Sequence, residues 1–275
     1  MDRRRFTLIP YPGSIRLRAC RERVAPVVRW SLLIVSGLFF TTGLAFAQSS
    51  VFHTRKSASA EILPLVLGGG LEFETDSNQT QYDVPFLLQY SFTETFQATI
   101  ETALTHIDSN SEDVRTVTGA DDIETSLEYE FLRERRYRPS LTVFGGMRWP
   151  TSTDADIGAP GRDYSIGLIA AKEFDFFEVD LNAIYTVSGD PEQQDILELP
   201  FAVQYPVNHY FDLVAEILPT LDMGGGGDSS TPTEFTLGGV LRSSPFLTLE
   251  AGAVIRDDGT WQLLFGFEYS FAGDY

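Results

Sequence analysis

The stretch WQLLFGFEYSF, residues 261–271, alternates throughout: Trp261, Leu263, Phe265, Phe267, Tyr269 and Phe271 share one face, Gln262, Gly266, Glu268 and Ser270 the other. A period of two marks an extended strand with one apolar and one polar side. The pattern recurs upstream. Leu247, Leu249, Ala251, Ala253 and Ile255 oppose Thr248, Glu250 and Gly252, and Phe177, Val179, Leu181, Ala183, Tyr185 and Val187 oppose Glu178, Asp180, Asn182 and Thr186. Ile123, Leu127, Tyr129 and Phe131 oppose Glu124, Ser126, Glu128 and Glu130, and Tyr82, Val84, Phe86, Leu88, Tyr90 and Phe92 oppose Gln81, Asp83, Gln89 and Ser91.

Extending the pattern outward predicts strands over 62–73, 80–92, 96–107, 122–132, 139–149, 163–174, 176–187, 195–205, 210–220, 233–242, 246–256 and 260–271, twelve in all within a range of ten to fourteen. Counted in order, the odd-numbered connections are mostly long, as in TSTDADIGAPGR and DMGGGGDSSTPT, and the even-numbered ones are short, as in TET and SSP. No stretch after residue 47 reaches the roughly 20 apolar residues that a membrane helix needs. Together these features predict an all-β fold, a transmembrane antiparallel up-and-down β-barrel with long loops outside and short turns inside. A soluble sandwich or lipocalin-like barrel also alternates its faces, but twelve long strands leave little chain to cover a second face. Aromatics near the strand ends, such as Tyr82, Phe92, Trp149, Tyr210 and Trp261, suit the two interfacial girdles of a membrane barrel.

The amino-terminal part reads differently. A basic region ending at Arg29 precedes an apolar run from Trp30 to about Phe46, and Ala45-Phe46-Ala47 has the small-x-small form of a cleavage site. The expected organisation is a signal peptide over 1–47, a short periplasmic segment over 48–60 and a barrel over 61–275 in the bacterial outer membrane. The single cysteine, Cys20, falls within the leader. Of the 20 basic and 39 acidic residues, eight and two lie in the leader, so a chain of formal charge −19 leaves a body nearer −25. Such a charge excludes nucleic acid as a partner. The expected partners are outer-membrane lipids, the barrel assembly machinery and a small-molecule solute.

If the polar face lines a lumen, the candidate selectivity residues are Asp83, Glu101, Glu124, Glu128, Arg148, Glu178, Asp180, Glu198, Glu216, Arg242 and Glu268, predominantly acidic. Clustered carboxylates at the wall of a pore favour cations and repel anions. The segment Arg133-Glu134-Arg135-Arg136-Tyr137-Arg138 is the one basic cluster after the leader, suited to a solvated turn or to anionic headgroups.

From about residue 122 onward the order of features resembles the outer-membrane proteins associated with meta-pathway phenol degradation. The residues that carry this are SLEYEFL, the strand closing on Arg148-Trp149-Pro150-Thr151, RDYSIGLIAAKEF, DLNAIYTVSGD, VAEI, EFTLGGVLR, LTLEAGAV and the closing WQLLFGFEYSF. The resemblance implies a transport barrel for small aromatic or other apolar compounds and supplies no binding residues.

Catalytic chemistry has little support. His106, in His106-Ile107-Asp108-Ser109-Asn110, sits at an expected outer rim but lacks the spacing of a lipid hydrolase. The acidic loops lack EF-hand spacing, and Gly224 to Gly227 does not end as a phosphate loop does. The chain is expected to be a channel and not an enzyme, with no metal or cofactor. A closed barrel whose loops contact partners is the alternative, ahead of a rim lipid hydrolase.

Overall fold

The computed structural model describes residues 65–76, 79–109, 115–224 and 232–271. The expected leader and periplasmic segment lie outside the described residues, as do positions 62–64 of the first expected strand. The regular elements among the described residues are all strands: β1 (Leu65–Thr75), β2 (Gln79–Thr93), β3 (Phe96–Ser109), β4 (Val117–Ala120), β5 (Ile123–Leu132), β6 (Ser140–Trp149), β7 (Asp163–Glu173) and β8 (Glu178–Val187). They continue as β9 (Ile196–Glu198), β10 (Phe201–Pro206), β11 (Phe211–Leu218), β12 (Thr220–Asp222), β13 (Glu234–Ser244), β14 (Leu247–Arg256) and β15 (Trp261–Phe271).

Every neighbour pair is antiparallel, and β1 pairs with β2 on one side and β15 on the other, so the sheet closes on itself. β9 and β10 form one wall strand interrupted at Leu199-Pro200, and β11 and β12 another interrupted at Pro219. β4 stands outside the closed path. The wall therefore has twelve strands, as the periodicity predicts. Following the register once around returns to β1 displaced by about 14 residues, which for twelve strands tilts them roughly 40° from the barrel axis.

Two local features differ from the sequence expectation. The segment 108–121, read as a loop, contains β4, whose residues Val117 to Ala120 pair with Ile107 to Leu104. β-branched Val117 and Thr118 favour the extended form, and Thr118 adds a hydrogen bond to His106. The interruptions at Pro200 and Pro219 come from the missing proline N–H. Asn182 N donates to Pro200 O and Leu199 N to Pro219 O, but neither proline can return the bond. Because Leu199 faces Pro219 directly, both losses fall at one level of adjacent strands.

The two faces separate cleanly. Outward-facing residues such as Leu71, Phe86, Leu127, Ile166, Leu181, Phe235, Leu237 and Phe265 are exposed, while alternate residues are buried. Near the long-loop end, Phe73 packs against Tyr82 and Trp261 with ring centroids 5.2 and 5.3 Å apart. Near the short-turn end, Phe92 meets Tyr90 and Phe96, Tyr269 meets Phe271, and Phe174 stacks on Phe177. The tightest outer connection turns at Asp257-Asp258-Gly259, where Gly259 adopts φ of 91°, a conformation natural to glycine.

Candidate functional site

The inward face of the barrel carries the chemistry, and period-two geometry decides which residues reach it. Asp83, Glu128, Arg148, Asp180, Glu198 and Glu216 are buried on that face; Glu101, Glu124, Glu178 and Glu268 lie on it partly exposed. Arg242 has the inward parity but sits at the short-turn end, about half exposed. These residues are not one cluster, and the register shows which are neighbours.

Glu101 lies opposite Glu124, and Glu124 opposite Arg148, so three charged side chains run across β3, β5 and β6. Arg148 completes the row by pairing with Asp163 at the start of β7. Asp83 lies opposite Glu72 on β1. Asp83 is held by Thr105 Oγ1 at 2.6 Å and by Gln81 Nε2 at 2.9 Å. Glu128 accepts from Gln97 Nε2 at 2.8 Å, and Gln97 Oε1 accepts from Gln89. At the short-turn end Asp212 accepts from Gln204 and pairs with Arg242. Glu72 and Asp83, and Glu101 and Glu124, thus place carboxyl-bearing residues opposite one another on neighbouring strands.

The sequence reading missed a second ionic centre. Arg256, buried at the end of β14, reaches Glu234 with Nε at 2.7 Å and Glu74 with Nη1 at 3.2 Å. Arg256 shares its face with Glu250 and Gly252, so extending the β14 alternation identifies it. Glu72 and Glu74 were obscured by Gly68-Gly69-Gly70, which blurs the alternation of β1; Leu71 and Phe73 facing out fix their inward direction. Arg148 and Arg256 lie six wall strands apart, on opposite sides of a twelve-strand barrel near its long-loop end.

That end is organised by a buried carboxylate. Asp122 Oδ1 accepts the backbone N–H groups of Thr151 and Ser152, and Oδ2 that of Ala159, each at 2.8 Å. Thr151 Oγ1 in turn accepts Ile123 N at 2.9 Å. The Pro150-Thr151 step thus ties the 150–162 loop to the start of β5, and Ile157 and Ala159 of that loop are buried. Asp122 is a loop anchor rather than one more solvated acid. Beside it, burial pushes the Asp121 carboxyl up to about 6. Asp195 fastens the next loop, accepting from Tyr185 Oη at 2.6 Å and Ser188 N at 3.1 Å.

His106 faces outward, its Nδ1 2.6 Å from Thr118 Oγ1 and its ring beside Tyr82. Its observed polar partner is a threonine and its stacking partner an aromatic ring. His209 lies in the exposed short turn between β10 and β11. In the basic turn, Arg133 pairs with Glu94 at 2.7 Å and Glu134 with Lys172.

Neither a protein-family model nor a curated protein sequence matches the chain. Solved structures do match. The COG4313 outer membrane channel from Pseudomonas putida F1 aligns with a TM-score of 0.62 at 13% identity, covering 79% of this chain and 99% of that one. The NanC porin gives 0.53 at 13% identity over 75% and 100%, and the KdgM porin 0.51 at 9% over 74% and 99%. At these identities the likeness establishes the fold: the chain has the closed twelve-strand antiparallel architecture that the register describes.

Proposed function

We propose that the chain is a bacterial outer-membrane channel for passive passage of small solutes, exported by a leader cleaved after Ala47. The observation that carries this is the outward face. Tyr82 and Phe92 on β2 mark its two aromatic belts. Ten residues of a strand tilted roughly 40° span about 25 Å, the height of the apolar band on outer-membrane barrels. Between the belts the wall is apolar outward, while its inward face holds charged groups that would be costly in hydrocarbon. Closure supplies every strand with neighbours on both sides, as a sheet in lipid requires. The solved barrels of the same fold are channels and porins, which favours transport over a closed wall. Lipid surrounds the barrel, and the barrel assembly machinery inserts it.

The carboxylate arc of Glu72, Asp83, Glu101 and Glu124 favours cations at the wall, while the resemblance to phenol-degradation barrels favours small aromatic or apolar cargo. Purified protein in planar bilayers tests both passage and charge preference. Unitary conductance with a cation-selective reversal potential is expected, and the joint substitution Glu124→Gln, Glu128→Gln and Glu178→Gln should lower that selectivity. No unitary conductance and no solute flux into vesicles would sink the channel; unchanged selectivity in the triple variant would remove Glu124, Glu128 and Glu178 from it.

A further inference from the structure

The turn that follows β5 carries chemistry that passage of a solute does not use. Arg133-Glu134-Arg135-Arg136-Tyr137-Arg138 sets four guanidiniums within six residues of a chain whose formal charge is −19. Like charges this close repel one another, yet the segment has a defined shape. Arg135 and Arg138 each donate a backbone N–H to the other's carbonyl at 3.1 Å, and Arg138 Nε donates to Arg133 O at 3.2 Å. These bonds close a four-residue β-turn with Arg136 and Tyr137 at its tip.

Ion pairs fasten the turn on both flanks. Arg133 Nη2 reaches Glu94 Oε2 at 2.7 Å in the turn between β2 and β3. On the other side Glu134 Oε1 accepts from Lys172 Nζ and, at 3.1 Å, from Glu173 N at the end of β7. Glu94 and Glu134 are thereby committed, and Arg135, Arg136 and Arg138 have no carboxylate partner among the described residues; Glu173 and Asp175, exposed on the neighbouring turn, form no ion pair with them. Arg135, Arg136 and Tyr137 are exposed, Tyr137 at 86%, and the Arg136 guanidinium lies 5.2 Å from the centroid of the Tyr137 ring. The place of the turn is as informative as its charge. Outward-facing Tyr129 and Phe131 are half exposed at the end of β5, and the stacked rings of Phe174 and Phe177 stand beside Lys172. The guanidiniums therefore follow directly on the aromatic belt, at the level where headgroups meet water.

Resting on the outer-membrane assignment above, we propose that this turn is a docking site for the phosphodiester headgroup of an anionic phospholipid in the leaflet at the short-turn end. Arg135 and Arg136 present planar forks whose N–H groups donate to phosphate oxygens in pairs, and Arg138 adds charge behind them. Tyr137, apolar in its ring and polar at its tip, sits among the headgroups. The acyl chains lie along the outward face beside Tyr129 and Phe131. Elsewhere the strongly acidic chain repels anionic lipid, so the turn fixes where such lipid gathers. A free phosphate would meet the same guanidiniums but not the apolar face next to them, which favours the lipid.

Native mass spectrometry of the full barrel in detergent micelles, titrated with dioleoyl-phosphatidylglycerol or dioleoyl-phosphatidylcholine, tests this. Phosphatidylglycerol should bind about tenfold more tightly than phosphatidylcholine, and Arg135→Gln with Arg136→Gln should bring it down to the phosphatidylcholine level. Arg135→Lys with Arg136→Lys keeps the charge without the forks and should retain part of the preference. Arg115→Gln, in the exposed long-loop pair with Asp154, should leave it unchanged. Equal binding of the two lipids by the unaltered barrel, a preference untouched in the double glutamine variant, or an equal loss in Arg115→Gln overturns the docking site. So does glycerol phosphate binding as tightly as phosphatidylglycerol, which would make the turn a site for free phosphate. Conductance measured on the same preparations separates the two ideas: conduction without a lipid preference that depends on Arg135 and Arg136 removes only the docking site, and that preference without conduction removes only the channel.

Discussion

Replacing Asp122 with alanine tests how the long-loop end is held. The carboxylate accepts three backbone N–H groups at 2.8 Å from a position that is 3% exposed. Hydrogen bonds to an ionised group are each worth about 1.5–3 kcal/mol, and two of these share one oxygen, so the set is worth about 3–4 kcal/mol. At about 1.4 kcal/mol per decade, the loop should open some hundredfold more often. Amide hydrogen exchange of the barrel in micelles reads this directly. Protection at Thr151, Ser152 and Ala159 should fall by two orders of magnitude, while amides of β14 keep theirs. Asp122→Asn retains one acceptor oxygen and should fall between. Unchanged protection of the 150–162 loop in Asp122→Ala would refute the anchoring role; equal loss in β14 would mean that the substitution acts on the whole barrel.

Other consequences follow from the same geometry. Arg256→Met removes the guanidinium shared by Glu74 and Glu234, and breaking a buried ion pair from one side costs about 3–5 kcal/mol, which should lower the midpoint of heat- or urea-induced unfolding. A midpoint equal to that of the parent would show the pair to be inconsequential. Asp121, with its carboxyl raised to about 6 by burial, favours the folded form most when protonated; that contribution is full below about pH 3.8 and lost as pH rises through 6. Asp121→Asn should therefore stabilise the barrel at pH 7.5 by about 1–3 kcal/mol and little at pH 3.5, and equal effects at both would contradict the assignment. Gly146→Val should displace the Phe144 ring, whose Cζ lies 2.8 Å from the new Cβ; an unaltered Phe144 environment by side-chain NMR would count against the packing.

Much of the wall was legible because one face of every strand is apolar, and period two survives wherever side chains are large. β15 and β8 were read with bounds correct to within two residues, since aromatics and carboxylates alternate there without glycine. β1 was the weakest reading: its three consecutive glycines carry no polarity, and the inward direction of Glu72 and Glu74 follows from Leu71 and Phe73 facing out in the closed wall. β4 escaped because four residues are too few to show a period, and its pairing with β3 is tertiary. The facing of the interior acids followed from parity, but their neighbours did not. That Glu124 lies between Glu101 and Arg148 depends on strand register, which no single strand encodes. The three amides gathered by Asp122 come from residues 29 to 37 positions away, beyond any local pattern.

The pairing of β1 with β15 has a further consequence, for the order in which the barrel forms. Leu65 meets Phe271 and Thr75 meets Trp261 across an unbroken eleven-residue register. The seam joins the first described strand to the last, so it cannot form until almost the whole chain is present. Hairpins such as β14–β15 draw on neighbours close in sequence and are quick to form; the seam carries the largest loop-closure entropy in the molecule and is the slow step. Until it closes, two long ladders of backbone donors and acceptors stand open beside oily faces, a state prone to self-association. Closing that one seam is therefore as much a requirement of this sequence as the eleven local pairings that precede it.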